Sequence, residues 1–208
     1  GTLEIVNTNV YYAQYGSLND GIGIFNLDEM HIHNSTIAFN SRNIVNYGTI
    51  EIENSTIYSS TFGGIIHNSG TLTVTNTTFF QSGIANLANS VTVANSILSG
   101  CGGNPVVSLG NNIDSGVSCN FNSSGDMSNT DPLLGDFVTT YGSASFDLLP
   151  NSPAIDAGSN ANCPSTDQRG ALRPFDGDDN GTAVCDIGAV EYGSQPIQYV
   201  YLPLTVKP

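Results

Sequence analysis

A strand-like segment recurs along the first half of the chain at intervals of about twenty residues. Its clearest copy reads Gly-Thr-Ile-Glu-Ile-Glu-Asn-Ser-Thr-Ile at residues 48–57. An asparagine closes each copy. These asparagines follow one another after 27, 20, 22 and 19 residues, and they are Asn7, Asn34, Asn54, Asn76 and Asn95. A period near twenty is typical of a solenoid, in which every repeat forms one coil of the chain.

Apolar and polar side chains alternate within each copy, which is the pattern of a β-strand with one buried face. A second series has the same period and ends each time in asparagine, at Asn26, Asn46, Asn68 and Asn86. Each coil therefore contains at least two strands and two turns. The sequence predicts an all-β fold, a parallel β-helix with inward aliphatic columns built from the pairs Leu3/Ile5, Met30/Ile32, Ile50/Ile52, Leu72/Val74 and Val91/Val93.

An asparagine at the same turn of every coil can bond its side-chain amide to the next asparagine and to turn backbone. The column that begins at Asn7 resembles the asparagine ladder of right-handed parallel β-helix proteins. The resemblance covers about residues 1 to 100 and implies a right-handed parallel β-helix. We predict coils over residues 1–150, regular to about 98 and irregular after, with a long loop within 99–150. A cap over 151–193 and a linker with an apolar tail strand over 194–208 follow.

The chain has four cysteines and no C-x-x-C spacing, which favours two disulfides over a zinc site. Sequence order favours Cys101 with Cys119 and Cys163 with Cys185, although three connectivities are possible. Disulfides indicate an extracellular or cell-surface location. Eighteen acidic and four basic residues give a net charge of −14, which disfavours nucleic acid as a partner. No apolar run is long enough to predict a membrane span.

Spaced blocks near the C-terminus are more specific: Ser-Pro-Ala-Ile-Asp-Ala-Gly at 152–158, Asp-Gln-Arg-Gly at 167–170, Arg-Pro at 173–174 and Asp-Ile-Gly-Ala-Val-Glu-Tyr at 186–192. Together they resemble the closing motif of the bacterial choice-of-anchor Q β-helix proteins, which are secreted or surface proteins. The resemblance covers roughly the last 60 residues. It implies an extracellular location and a capped β-helix, and it implies no settled catalytic activity.

Charged residues in the cap permit two interpretations. Arg169 and Arg173 lie among carboxylates, which predicts structural ion pairs that tie the cap together.

The segment 176–181 fits the opening D-x-D-x-N-G of a calcium loop, although Ile187 stands where the bidentate glutamate would be. The alternative is an acidic solvated turn. The fold requires no cofactor, and a calcium ion here would be structural, with the candidate ligands Asp176, Asp178, Asn180 and Asp186.

The outward positions of the coils offer one further constellation. The repeat places Glu4, His31 and Glu51 at the same position of successive coils, with His33 and Glu53 two residues on. Rungs of a parallel sheet are about 4.8 Å apart, so His31 would lie between two carboxylates. Such a set could bind a transition metal. The alternative is an exposed ladder in which glutamate and histidine offset one another.

The coil region lacks the catalytic patterns known from polysaccharide-cleaving β-helices. It has no lysine, one arginine and no pair of aspartates on one face. We therefore expect a non-enzymatic protein. A secreted module that binds or cleaves polysaccharide is the alternative, and cell-surface glycans could then stack on a groove lined by Tyr11, Tyr12, Tyr15 and Tyr47.

The first coil begins at Gly1 without a cap, which predicts an unpaired sheet edge and an open core. The last residues are apolar and prone to form a strand. We expect copies of the chain to associate head to tail into a filament or surface array. A longer natural chain, cut before Gly1, would leave the same open end. The predicted assembly residues are Gly1, Leu3, Ile5, Tyr199, Val200, Tyr201, Leu202, Leu204 and Val206.

Overall fold

A computed structural model of the chain describes residues 1–12, 21–59, 65–88, 90–140 and 142–196. Its regular structure is almost wholly β, with one short 3-10 turn at Asn160–Asn162. In chain order, the strands are β1 (Thr2–Val6), β2 (Asn9–Tyr11), β3 (Ile22–Asn26), β4 (Glu29–His33), β5 (Thr36–Ala38), β6 (Arg42–Asn46), β7 (Thr49–Glu53), β8 (Thr56–Tyr58), β9 (Ile65–Asn68), β10 (Thr71–Thr75), β11 (Thr78–Phe80), β12 (Gly83–Asn86), β13 (Val91–Ala94), β14 (Ile97–Leu98), β15 (Cys101–Gly103), β16 (Val107–Ser108), β17 (Ile113–Asp114), β18 (Met127–Ser128), β19 (Leu134–Thr140) and β20 (Ser143–Leu148).

Successive strands pass through three parallel sheets, so the predicted parallel β-helix is confirmed. The first sheet has the strand order β1-β4-β7-β10-β13-β16. The second sheet has the order β2-β5-β8-β11-β14-β17-β18, and the third has the order β3-β6-β9-β12-β15. The five coils that begin with β1, β4, β7, β10 and β13 thus each contain a third strand in addition to the two that the sequence indicated. Strands β19 and β20 form a separate antiparallel hairpin.

The core consists of aliphatic columns that follow the predicted register. In the first sheet, Met30 pairs with Ile50 and Ile50 with Leu72, and all three side chains are buried. Ile37 and Ile57 form an equivalent buried column in the second sheet. Burying one such side chain contributes about 1.5–3 kcal/mol, so stacking the columns supplies most of the driving force for the coil.

The buried asparagine ladder exists, but it lies at a different corner from the predicted one. Asn26 Nδ2 donates to Asn46 Oδ1 at 2.8 Å, and Asn46 Nδ2 donates to Asn68 Oδ1 at 2.7 Å. This corner joins the third sheet to the first. Two glycines are required there, because a Cβ on Gly48 or Gly70 would lie 2.0 or 1.9 Å from a carbonyl oxygen of the preceding coil.

The column from Asn7 to Asn95 has another structural role. Its five residues have φ between 46° and 51°, a left-handed conformation that asparagine tolerates better than most residues. They turn the chain from the first sheet into the second. Several of their side chains bond to the cap: Asn54 Nδ2 donates to the Thr166 carbonyl at 2.7 Å, and Asn95 Nδ2 donates to the Ser159 carbonyl at 3.0 Å.

The cap folds back over the outer face of the second sheet. Thr36, Thr56 and Thr78 stack in register on this face. Thr56 Oγ1 donates to Gln168 Oε1 at 2.6 Å, and the Ala189 amide donates to Thr78 Oγ1 at 3.0 Å. Neighbouring coils are therefore fastened by residues more than 100 positions away in the sequence.

The region 99–150 continues the coils with short strands, as predicted, and then forms a hairpin where the sequence predicted a long loop. Strands β16, β17 and β18 continue the first and second sheets, and residues 134–148 form the β19–β20 hairpin. The hairpin is held by aromatic packing: the rings of Phe137 and Phe146 lie 4.8 and 4.9 Å from the ring of Tyr58. These contacts join segments that are distant in the sequence, and no periodic pattern in the sequence indicates them.

Both predicted disulfides are confirmed. Cys101 pairs with Cys119 across 18 residues, and Cys163 pairs with Cys185 across 22 residues. Closing loops of this length stabilises a fold by about 3 kcal/mol in the chain-entropy model. The first disulfide joins β15 to the segment between β17 and β18, and the second joins two segments of the cap.

No helix in the described ranges is long and apolar enough to cross a membrane. The predicted tail residues Tyr199, Val200, Tyr201, Leu202, Leu204 and Val206 lie outside the described residues.

Candidate functional site

Arg169 forms the ion pairs predicted for the cap. Its Nη2 atom lies 2.8 Å from Asp167 Oδ2, and its Nη1 atom lies 2.9 Å from Asp147 Oδ1. Nη2 also donates to the Glu191 carbonyl at 2.7 Å. One guanidinium thus connects the β20 strand with two segments of the cap, as expected of a planar group with several directed donors.

Arg173 is the buried counterpart of Arg169. Its side chain and that of Glu191 are both fully buried, and its Nε atom lies 3.3 Å from Glu191 Oε2. Nη2 donates to the Gly188 carbonyl at 2.8 Å. Burial lowers the pKa of the Arg173 guanidinium and raises the pKa of the Glu191 carboxyl, because both charges are removed from water. This pair lies inside the cap, where it holds packed segments together.

Asp186 belongs to the same buried network. Its Oδ1 atom accepts the Asp156 amide at 2.7 Å, and its Oδ2 atom accepts the Tyr192 amide. Burial, with the negative charge of Glu191, raises the pKa of Asp186 to about 7. Asp186 was predicted as a calcium ligand. In the structure, both of its carboxylate oxygens accept backbone amides inside the cap.

The stability of the protein should fall as pH rises from about 5 to 8. The pKa of Asp186 rises from 3.8 in its ordinary state to about 7 in the folded chain, so the folded state holds a proton that the unfolded state has released. The contribution of Asp186 to the free energy of unfolding is fully present below pH 3.8 and is lost as pH rises through about 7.

Thermal melting at constant ionic strength measures this effect. In the Asp186→Asn variant, which cannot ionise, the decline of the melting temperature over the same range should be clearly smaller. A wild-type melting temperature that rises between pH 5 and 8, or a variant with the same slope as the wild type, would contradict the assignment.

The acidic loop of the cap brings together Asp176, Asp178 and Asp156. One carboxylate oxygen from each lies within 4.8 Å of the others, and in the described ranges this is the only group of three such donors. Asp156 occupies the position in this cluster that was predicted for Asp186. Hydrogen bonds within the loop also account for the closeness of these carboxylates, because the Asn180 backbone amide donates to the carboxylates of both Asp176 and Asp178. The calcium site at this loop stays a prediction.

The sequence missed Asp156 as a member of this cluster because it precedes Asp176 by twenty residues. Asp156 Oδ2 accepts the amides of Gly177 and Asp178, at 3.0 and 2.8 Å. Its position in the Ala-Ile-Asp-Ala-Gly block at 154–158 is the signal that the sequence offers, and in the structure Asp156 has a left-handed φ of 51°. A non-glycine residue in that conformation is uncommon and commonly marks a constrained turn.

The outward face of the first sheet has the predicted register. Glu4, His31 and Glu51 are direct neighbours on β1, β4 and β7, and His33 is the neighbour of Glu53. His31 Nδ1 lies 3.0 Å from Glu51 Oε2, and His33 Nδ1 lies 3.9 Å from Glu53 Oε1. The histidines and glutamates therefore interact in pairs across neighbouring strands.

The described tyrosines of the predicted groove lie at two different corners of the coil. Tyr12 follows the second sheet and stacks on Phe39, with ring centroids 5.1 Å apart and planes at 9°. Tyr11 lies beside the same pair. Tyr47 follows the third sheet, at a different corner, where its ring contacts Phe25. Tyr15 lies outside the described residues.

The edge of the first coil exposes apolar side chains. Leu3 is 55% exposed, whereas Met30, its neighbour in the next coil, is 5% exposed. Val6 is also exposed, and Ile5 is partly exposed. In the described ranges, β1 pairs with β4 on one side and with no strand on the other. The predicted assembly residues Gly1, Leu3 and Ile5 thus lie at an edge that carries unpaired backbone groups.

Comparison with protein-family models, with curated proteins and with solved structures finds no match to this chain. The resemblance to the choice-of-anchor Q proteins, carried by the blocks at 152–158, 167–170 and 186–192, stays a prediction. The functional assignment therefore depends on the residues and contacts described above.

Proposed function

We propose that this chain is an extracellular structural solenoid that associates with copies of itself through the edge of its first coil. The exposed edge of β1 carries the proposal. Leu3 continues a column whose members in the next coils, Met30, Ile50 and Leu72, are buried. A strand placed against β1 would bury Leu3 and would pair the free backbone groups of the edge.

A copy of the same chain fits this edge in spacing and chemistry. Its strands present aliphatic residues at every second position, as a partner of Leu3 and Ile5 must do. Parallel or antiparallel pairing at an edge supplies backbone hydrogen bonds, and the aliphatic side chains supply apolar burial. A heterologous contact of this kind would extend the solenoid into a filament, whereas a twofold contact would close as a dimer.

Because the net charge of the chain is −14, the proposed association should depend on the salt concentration. Negatively charged copies repel one another, and dissolved salt screens this repulsion over about 10 Å at 0.1 M. Association through an apolar edge should therefore strengthen as the salt concentration rises. The two disulfides are compatible with an extracellular protein, because such bonds persist in oxidising compartments.

Sedimentation velocity at rising protein concentration tests the proposal. The wild-type sedimentation coefficient should increase with concentration, and the Leu3→Lys variant should associate roughly 10- to 100-fold more weakly, as expected from losing one buried leucine. Thr71→Lys is the matched control, since Thr71 is exposed in the middle of the same sheet. A wild-type chain that stays monomeric at high concentration and high salt would refute the proposal. Equal association of Leu3→Lys and wild type would refute the assigned edge.

A further inference from the structure

Two histidines on β4, the second strand of the first sheet, face the same way. His31 and His33 lie on β4, on either side of the buried Ile32. Their ring centroids are 6.0 Å apart and their planes differ by 12°. With Zn–N bonds of about 2.1 Å, two imidazoles that share an ion have centroids about 5–6.5 Å apart. The separation of the rings therefore fits a shared ion, provided that the nearly parallel rings rotate so that one nitrogen of each faces the ion.

Glutamates on β7 lie near the Nδ1 atom of each imidazole. His31 Nδ1 lies 3.0 Å from Glu51 Oε2, and His33 Nδ1 lies 3.9 Å from Glu53 Oε1. At His31, the carboxylate of Glu51 is close enough to favour the tautomer that carries the proton on Nδ1, which leaves the Nε2 lone pair available. Metal-binding histidines commonly have a carboxylate in this outer position, where it orients the ring and makes it more basic.

Glu29 provides a carboxylate on the other side of His31. Its Oε1 atom lies 3.7 Å from His31 Nε2, and its Oε2 atom accepts the Thr2 hydroxyl at 2.6 Å. If an ion bound both atoms at about 2.1 Å, the angle between the two bonds would be about 120°, close to tetrahedral. Glu29, His31 and His33 thus occupy alternate positions of one strand and face the same side of the sheet.

Charge and exposure favour a cation at this face. The side chains of His31 and His33 are 25% and 32% exposed, so an ion can reach them and the rings have room to rotate. The described strands of the first sheet contain no lysine or arginine. They contribute Glu4, Glu29, Glu51 and Glu53 to the surrounding field, which concentrates cations at the surface.

The donor set also indicates which kind of ion binds. Imidazole nitrogen suits Zn²⁺, Cu²⁺ and Ni²⁺, whereas the oxygen donors of Asp156, Asp176 and Asp178 suit hard cations. The donor atoms of Glu29, His31 and His33 are more widely spaced than those three carboxylate oxygens, which lie within 4.8 Å of one another. Binding therefore includes rotation of the half-exposed side chains. We infer that His31, His33 and Glu29 form a surface site for a divalent transition ion such as Zn²⁺, supported by Glu51 and Glu53.

Isothermal titration of the full chain with Zn²⁺ tests this inference. The sequence contains three histidines, and His67 lies on β9 in the third sheet, so His67→Ala is a matched control. His31→Ala and His33→Ala should each weaken binding by more than the roughly 10- to 100-fold effect of losing an outer-shell partner. His67→Ala should bind like the wild type. Circular dichroism should show the same strand content in all variants, since the three side chains are partly exposed.

Cu²⁺ provides a second readout that counts nitrogen ligands. Electron paramagnetic resonance of the wild type should show hyperfine coupling to two nitrogens, and His31→Ala and His33→Ala should each show coupling to one. The Glu51→Gln variant should keep both nitrogens and bind Zn²⁺ roughly 10- to 100-fold more weakly. Equal Zn²⁺ affinity in wild type and the double variant His31→Ala/His33→Ala would overturn the inference. Loss of binding only in Asp156→Asn would overturn it as well, because the ion would then belong to the cap.

Discussion

Replacement of Arg173 by methionine is expected to lower the free energy of unfolding by about 3–5 kcal/mol, the usual effect of removing one member of a buried ion pair. The guanidinium lies 3.3 Å from the carboxylate of Glu191, and neither side chain reaches solvent. The substitution leaves Glu191 without its cation and the Gly188 carbonyl without its donor. Methionine keeps much of the side-chain volume, so the lost stability reports on charge and hydrogen bonding.

Urea denaturation of wild type and variants measures this loss. Leu172→Ala is the neighbouring control: its side chain is 54% exposed, and the change should stay within about 0.5 kcal/mol. The double variant Arg173→Met/Glu191→Leu should recover part of the stability, because it removes both buried charges. If the free energy of unfolding of Arg173→Met were within about 1 kcal/mol of the wild-type value, the buried pair would not hold the cap on the coils.

Replacement of Asn46 by alanine is expected to lower the free energy of unfolding by about 2–5 kcal/mol. The Asn46 side chain accepts bonds from Asn26 Nδ2 and the Gly48 amide and donates to Asn68 Oδ1 and the Thr71 carbonyl. Alanine leaves several of these buried groups without a partner. Each unsatisfied group costs about 1–3 kcal/mol, and the loss is greatest in the middle of the ladder.

The matched comparison for Asn46 is Asn34→Gly at the other asparagine corner. Asn34 has a φ of 51°, which glycine adopts readily, and its Oδ1 atom has no hydrogen-bond partner among the described residues. This change should therefore be neutral to within about 0.5 kcal/mol. Equilibrium unfolding of both variants separates the two corners. A larger loss of unfolding free energy in Asn34→Gly than in Asn46→Ala would indicate that the stabilising ladder lies in the column of Asn34, as the sequence predicted.

The columns of the coil could be predicted because both of their periods are local. Alternation at every second residue places Ile50 and Ile52 on the inner face, and the twenty-residue period places Met30 and Leu72 beside Ile50. A single register satisfies both periods, since a shift by one residue would move every aliphatic side chain outward. The same register correctly places His31 next to Glu51.

Features that depend on distant contacts could not be predicted in this way. Two asparagine columns have the same period, and only their backbone conformation shows that Asn54 turns the chain whereas Asn46 forms the ladder. Phe137 and Phe146 are 79 and 88 residues from Tyr58, against which they pack, and no repeat connects them. Asp156 reaches the acidic loop through the fold of the cap.

Hydrogen exchange at the β1 edge tests the proposed function most directly. Mass spectrometry of peptides that cover residues 2–6 would compare exchange at low and high protein concentration. We predict that these amides become protected as the chain associates, while the largely exposed turn at 122–125 exchanges equally under both conditions. Association without added protection at residues 2–6, or a chain that stays monomeric at high concentration, would contradict assembly through this edge.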